Sequence, residues 1–467
     1  MPGSFYYLAK RKYLSKNHFA IFLSCSIFLA IFFQVNLTED QILALAPDEA
    51  SKKAGKELAN PSKWISKGAS EQALWGECQG SGSKPYQTQI DLNNTAFKCS
   101  CPSRKFPCKH GIALGLLYAR QPNIFTEKES PAWVAEWIGK RAQKEEKKAE
   151  KTEKPVDEAA QAKRQQAREK KVAEGIEELL IWIKDIVRHG IINIPDKGYA
   201  YWEGMAKRMV DAQSPGLAGM VKALGSTNFF KEGWQSTFVD KLLDVYLIAK
   251  GYQNKESLDT LVLQDIRNWI GFTISQDELK QQQGVFDTWL VLGKQITEDD
   301  NLTVERNWLY GTTSNRYALV LQFIIRGQGA TVLLSPGMFI EAELVYYSSA
   351  SPLRASVKRQ VTSSPSIPKQ LFTSWKEVAQ EETSICSNFP VRSERPYIIS
   401  EILLVQYNGG WWLKDKNNDM VAIKEDFAGI WKLLAISGGY PLNMVVVGKE
   451  RLYQPLGVWH NQNYKVI

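Results

Sequence analysis

The chain has 467 residues, 44% of them hydrophobic, with 15 tryptophans and a formal charge of +8. That length is too great for one hydrophobic core and implies two to four domains, and the apolar content argues for well-packed globular parts. Six cysteines in so long a chain exclude a disulfide-dense scaffold and point to a reducing compartment.

At the N-terminus Lys10, Arg11, Lys12 and Lys16 precede an apolar run from Phe19 to Phe33, broken only by Ser24-Cys25-Ser26. As a helix this run reaches roughly 22 Å, short of the ~30 Å hydrocarbon core, so its length and positive flank fit a signal peptide better than a spanning helix. The small-x-small site Ala44-Leu-Ala46 is followed directly by Pro47, a poor cleavage context, and export would expose thiolates to oxidation. A start at Val35 offers another reading, in which residues 1–34 are an over-extension of the gene. Residues 1–36 therefore stand apart as an apolar extension, read as a mis-assigned start, a signal or an anchor. The expected location is cytoplasmic, with membrane anchoring through residues 19–33 as the alternative.

Thr38-Glu39-Asp40 opens a short helix through Ala46, and Pro47-Asp48 starts a second. Trp64 to Trp75 leads into a Gly76–Gly82 loop. That loop lacks the Gly-Lys-Ser/Thr ending and the strand-to-helix context of a phosphate loop, so it reads as a turn. Tyr86–Leu92 alternates as a strand, and with a turn at Asn93-Asn94 the strand Ala96–Cys101 completes a hairpin.

This hairpin carries Cys99 and Cys101, whose spacing of two puts both sulfurs on one strand face. Pro102-Ser-Arg-Lys-Phe-Pro107 reverses the chain, and Cys108 and His110 then open an apolar run with the density of a buried helix. A thiolate at a helix N-terminus is favoured by the free N–H groups there. A Cys99–Cys101 disulfide is disfavoured, since alternate strand residues lie roughly 6.5–7 Å apart at Cα. Three sulfurs and one imidazole within twelve residues make a complete tetrahedral set for zinc. Cys78 is read as a packing thiol outside it. Residues 97–120 carry Lys98, Arg104, Lys105, Lys109 and Arg120 with no acid, and three thiolates with Zn²⁺ leave that window at +4. Such a module meets phosphate, or its lysines merely offset the thiolates; both readings stand.

The order C-x-C, short spacer, C-x-H resembles the SWIM zinc finger, with Cys99, Cys101, Cys108 and His110 each on a ligand position. Trp75-Gly-Glu-Cys-Gln-Gly-Ser-Gly-Ser-Lys-Pro-Tyr86 and Phe97-Lys-Cys-Ser-Cys-Pro-Ser-Arg-Lys-Phe-Pro-Cys-Lys-His110 are similar to bacterial SWIM proteins, from about Leu37 to Ile138. The resemblance implies a small ββα-type module that binds Zn²⁺ and contacts DNA or protein, without catalysis. Similar bacterial proteins are found beside MoxR-type AAA ATPases and von Willebrand A-domain proteins, so either is an expected partner.

Residues 140–171 hold twelve Lys/Arg, seven Asp/Glu and Val156 as the sole large apolar residue, which cannot bury a core. They read as a solvated helix or tether interrupted at Pro155. From Ala173 the pattern turns helical. Ile176, Leu179, Leu180, Ile183, Ile186 and Val187 recur at three and four, and Ser214-Pro215 caps a helix carrying Leu217, Met220, Val221 and Leu224. Further helices carry Phe238, Leu242 and Val245, then Leu258, Leu261, Val262 and Trp269, and the bundle ends near Gly284. Beyond it Asp287–Leu292, Tyr317–Phe323, Ala330–Leu334 and Phe339–Val345 read as strands, residues 348–368 as a Ser/Pro-rich loop, and Trp411–Ile423 as a hairpin turning at Asn417-Asn418. Short helices are expected around Lys369–Gln380 and Asp426–Ile430.

No Gly-x-Ser-x-Gly, His-Glu-x-x-His or P-loop is present, and His189 and His460 read as capping or surface residues, so no enzymatic activity is expected. The chain is thus expected to be an α+β multidomain protein. Its parts are an extension (1–36), a zinc finger (37–138), a charged linker (139–172), an α-helical domain (173–284) and a mostly β C-terminal domain (285–467). The expected function is a zinc-binding, non-enzymatic protein-interaction adaptor. Nucleic-acid binding through Lys98, Arg104, Lys105 and Lys109 is the alternative.

Overall fold

A computed structural model describes residues 39–467 apart from 48, 81, 83, 93–95, 104, 152–157, 300–301, 326–331, 333, 363–370 and 462. The apolar extension, the Asn93-Asn94 turn, Arg104 and Pro155 lie outside the described residues. No helix among those described is long and apolar enough to cross a membrane.

Two helices, α1 (Glu39–Ala44) and α2 (Glu49–Leu58), precede a four-stranded antiparallel meander of β1 (Trp64–Ala69), β2 (Ala73–Cys78), β3 (Tyr86–Asp91) and β4 (Ala96–Cys99). The expected hairpin is therefore half of a larger sheet. Trp64–Trp75 is itself a hairpin rather than a lead-in, and Gly76 lies within β2 rather than in a loop. The indole of Trp75 explains why: it is fully buried across β1 and donates to Glu127 Oε2 at 3.1 Å. Gly68 sits beneath it, where a Cβ would fall 2.2 Å from the ring. The sheet carries the helix α3 (Lys109–Arg120) on one side, buried from His110 through Leu117.

The charged segment is helical at both ends, in α4 (Ala132–Lys151) and α5 (Glu158–His189). Its final residues already belong to the bundle. Arg168 lies over the Phe272 ring at 4.3 Å and donates to the Gly271 carbonyl at 2.9 Å. Glu169 pairs with Lys255 at 3.3 Å and Arg267 at 2.5 Å. The bundle continues through α6 (Tyr199–Asp211), α7 (Pro215–Gly225), α8 (Trp234–Gln253) and α9 (Thr260–Ile270) around one apolar core. Of the expected core stripe, Val187 and Leu261 instead face solvent, because the buried stripe drifts around each helix by its ends. Pro215 opens α7, but the Ser214 hydroxyl bonds the Ala212 carbonyl at 3.3 Å rather than capping. The bundle stops at Gly271, whose φ of +109° ends α9. The next helix, α10 (Gln276–Gln281), carries a Ser275/Glu278 capping box and packs on the strands that follow.

Those strands are β5 (Val285–Asp299), β6 (Leu302–Gly311), β7 (Tyr317–Ile325), β8 (Phe339–Tyr346) and β9 (Arg354–Thr362). They close into a barrel of order β5-β6-β7-β9-β8, antiparallel except for the β7–β9 pair. This strand order is that of five-stranded Greek-key barrels of the OB type. Strand β9 occupies residues expected to be loop, while Val332 and Leu334 lie outside any strand. Trp289, Val291, Leu309 and Val320 fill the barrel interior. The alternate residues Leu290, Leu292, Trp308 and Tyr310 point outward against a second sheet.

That sheet follows α11 (Trp375–Asn388) and contains β10 (Arg395–Tyr407), β11 (Gly410–Lys414), β12 (Met420–Ile423), β13 (Leu442–Lys449), β14 (Leu452–His460) and β15 (Asn463–Val466), with α12 (Ile430–Ser437) between β12 and β13. Its order is β12-β11-β10-β13-β14-β15, and β12 also pairs with β14. The expected β11–β12 hairpin forms, with Asp415 Oδ1 accepting from the Asn417 and Asp419 amides, each at 2.9 Å. Ile398, Val445, Val447 and Leu456 form the face that meets the barrel.

Candidate metal centre

Strand β4 brings Cys99 opposite Thr88 of β3. The ladder ends just beyond, where the Ser100 amide donates to the Gln87 carbonyl at 3.0 Å and the Ser100 hydroxyl accepts from the Gln87 amide at 2.9 Å. Cys101 therefore lies past the strand, in the turn, and not on a common strand face with Cys99. Cys108 occupies the N-cap position of α3 and His110 its first turn, so the helix start delivers two of the four side chains. Gly111 lets this turn lie against the hairpin, since a Cβ there would stand 2.9 Å from the Phe97 ring.

The ligand atoms of Cys99, Cys101, Cys108 and His110 all lie within 4.8 Å of one another. His110 Nδ1 is 3.7 Å from Cys99 Sγ and 3.9 Å from Cys108 Sγ. Tetrahedral zinc, with Zn–S of about 2.3 Å and Zn–N of about 2.0–2.1 Å, places sulfur and nitrogen about 3.5 Å apart. The donor set and its spacing fit that ion. Around it, the Thr88 hydroxyl lies 3.2 Å from Cys99 Sγ and is the donor when that sulfur is a thiolate. The Tyr86 ring packs at 5.0 Å from the His110 ring.

Crowding sets the proton affinities of Cys101 and Cys108 apart. Hydrogen bonds from Cys108 and Cys99 hold Cys101 far below the usual thiol range. The same contacts, with burial, push Cys108 far above it. For His110, burial works downward, but the Cys101 and Cys99 sulfurs outweigh it and raise the imidazole to about 9. A donor set of this kind can hold a dication once all three thiols are deprotonated.

Cys78 is fully buried and outside the cluster, its thiol pushed up by burial. Lys98, Lys105 and Lys109 are exposed on the finger, and Arg104 lies outside the described residues. Sequence reasoning missed Thr88; the hairpin register that sets it across from Cys99 was the available signal. With α3 committed to the core, the finger offers no free helix of its own.

Residues 86–118 match the SWIM zinc finger family, and residues 167–270 match the SWIM-associated four-helix bundle domain. The first match spans all four ligands, and the second begins at the turn of α5 that holds Arg168 and Glu169. No curated protein and no solved structure matches the chain.

Proposed function

We propose that this chain, with its SWIM finger and SWIM-associated bundle, is a zinc-stapled, non-enzymatic adaptor that docks a protein partner in the cytoplasm. The distribution of exposed apolar side chains carries this reading. Among the described residues, half of the large hydrophobic side chains left exposed lie between Ile181 and Leu261, on the bundle. Phe230 is completely exposed in the α7–α8 connection, and Val239 and Leu243 follow one turn apart on α8. Scattered single residues need no explanation, but such enrichment on one domain supports protein contact there. The burial of α3 supports a structural role for the finger. Resemblance to bacterial SWIM proteins directs the search to a MoxR-type AAA ATPase or a von Willebrand A-domain protein.

Affinity capture from native cells, with and without nuclease, tests this. A nuclease-resistant partner that purified protein binds directly, and that Phe230→Asp/Leu243→Asp loses, is the expected result. Direct binding unaffected by those changes overturns the bundle as the docking face.

A second reading, nucleic-acid binding, rests on the exposure of Lys98, Lys105 and Lys109 beside the site. Charge reversal in Arg104→Glu/Lys105→Glu should then flatten the salt dependence of DNA binding by about two units of log–log slope. An unchanged slope, or no binding at low salt, removes this reading.

A further inference from the structure

A cavity of about 590 Å³ lies where the bundle, the barrel and the C-terminal sheet meet. That volume falls within the range of small-molecule sites, about 300–1,000 Å³. One wall is α7 and α9, another is the outer face of β6 and β7 with the connection from β8 to β9, and the third is the end of α11 with the start of β10.

Three arginines enter this space from strands: Arg306 from β6, Arg354 from the first position of β9 and Arg395 from the first position of β10. None takes part in an ion pair among the described residues, whereas Arg392 and Lys449 on the same wall both reach Glu450, at 3.4 and 3.9 Å. The acids of the wall make their hydrogen bonds elsewhere, although Asp265 attracts the Arg395 charge from a distance. Asp265 accepts from the Ala350 amide at 2.8 Å, Glu382 from the Tyr453 hydroxyl at 2.7 Å, and Glu394 pairs with Lys424. Arg395 donates to the Ser351 carbonyl at 2.6 Å, while its Nε, like that of Arg306, is buried with no hydrogen-bond partner. Arg354 is exposed and lies over the Tyr347 ring at 4.4 Å, whereas the buried Nε atoms of Arg306 and Arg395 have left water without a partner, and a guanidinium is well shaped to regain that cost from a phosphate. Burial pulls the Arg395 pKa down, against the pull of Tyr397, Glu381 and Asp265.

Inorganic phosphate is much smaller than the space. Trp269 and Phe389, beside Leu321, give one part of the wall flat, apolar surface, while Asn268, Ser349 and Ser351 keep another part polar. We infer that this cavity binds a phosphate-bearing organic ligand of nucleotide size, its phosphate held by Arg306, Arg354 and Arg395 and its flat body against the apolar wall. The β6–β7 face is also where five-stranded Greek-key barrels take oligonucleotides and sugars, but a shared fold assigns no ligand; the arginines do. The site is separate from the finger and from the exposed bundle residues, so it stands or falls independently of the adaptor reading.

Calorimetric titration of the full zinc-loaded chain tests it with three probes: inorganic pyrophosphate, ATP without added divalent metal, and a 5′-phosphorylated oligothymidylate. One equivalent of ATP or oligonucleotide should bind, with pyrophosphate weaker for want of a flat body. ATP binding without oligonucleotide binding identifies a free nucleotide; tighter oligonucleotide binding that ATP displaces identifies a nucleic-acid end. Arg306→Gln/Arg354→Gln should weaken whichever binds by at least about tenfold, the loss expected for charge-assisted hydrogen bonds. Gly219→Leu provides a second route, because its Cβ has no neighbour within 4 Å and the position lines the cavity from α7. It should block binding with the arginines intact and the helical circular dichroism retained. Lys98→Glu/Lys105→Glu on the finger should leave ATP binding unchanged. No heat from any probe at about 1 mM, or binding indifferent to both cavity variants, overturns the inference.

Discussion

The finger and the barrel–sheet unit reach a fixed geometry by opposite means. In the finger, a short four-residue strand and the first turn of a helix are held together by four side chains whose donor atoms crowd within 4.8 Å. In the barrel–sheet unit no such focus is needed. Strand β5 buries Trp289 and Val291 inward and Leu290 and Leu292 outward, so each residue locks one of two apolar layers. With zinc bound, the first arrangement would concentrate its stability in that ion and lose it on chelation. The second spreads it over many contacts, each replaceable at modest cost.

The largest expected effect tests that contrast directly. Cys101→Ser should lose zinc and unfold the window from Tyr86 to Arg120, because the apparent free energy of such sites, about 10–16 kcal/mol in peptides, is largely folding energy. Hydrogen exchange should show the bundle and barrel protected as before. One equivalent of zinc retained by the variant would refute the ligand assignment. Trp308→Ala should act in the converse direction. It removes a fully buried indole between barrel and sheet and should cost about 3–5 kcal/mol in chemical denaturation, with zinc content unchanged. If zinc were lost as well, the two units would not be energetically separate.

Acidity should separate them too. Zinc binding needs a neutral imidazole and three thiolates, so protons compete and affinity should fall as pH falls. In the metal-free protein two shifts oppose each other between pH 6.5 and 9: His110, raised to about 9, keeps a proton that the unfolded chain gives up, while Cys101, held far below the thiol range, has given up one that the unfolded chain keeps. Thermal melts of the metal-free form should therefore change little across this interval while those of the zinc form rise with pH, and a metal-free curve as steep as the zinc curve would argue against the sulfur–imidazole contacts.

The same contrast explains what could be read from the sequence. The ligand set was legible because three cysteines and a histidine within twelve residues are chemically rare in this composition. The core helices were legible because one face of each is apolar. Strand β6 was not: Asn307, Trp308, Leu309 and Tyr310 are all buried, since the interior and the second sheet claim alternate residues and erase the expected alternation. Strand β9 was hidden by its charges, and by the parallel pairing with β7 that only the closed barrel supplies. Cys101 was misplaced by one structural step because the end of a ladder depends on a side chain, Ser100, that propensity does not weigh. The arginine-lined cavity had no local signature, as Arg306, Arg354 and Arg395 converge from three separate strands.

The smallest expected effect sharpens the comparison within the finger itself. The Thr88 hydroxyl touches Cys99 Sγ at 3.2 Å and Thr88 is fully buried, so the hydroxyl faces the cluster rather than solvent. Thr88→Val keeps the shape and the β-branch while deleting the donor. Loss of such an outer-shell partner should weaken zinc binding by about 10–100-fold, which chelator competition measures. Thr88→Ser, which keeps the hydroxyl but removes a methyl, should restore most of that affinity while lowering the stability of the sheet slightly. Equal zinc affinity in the valine and serine variants would mean that the hydroxyl only fills space, and that four ligands and an ion suffice to hold hairpin to helix.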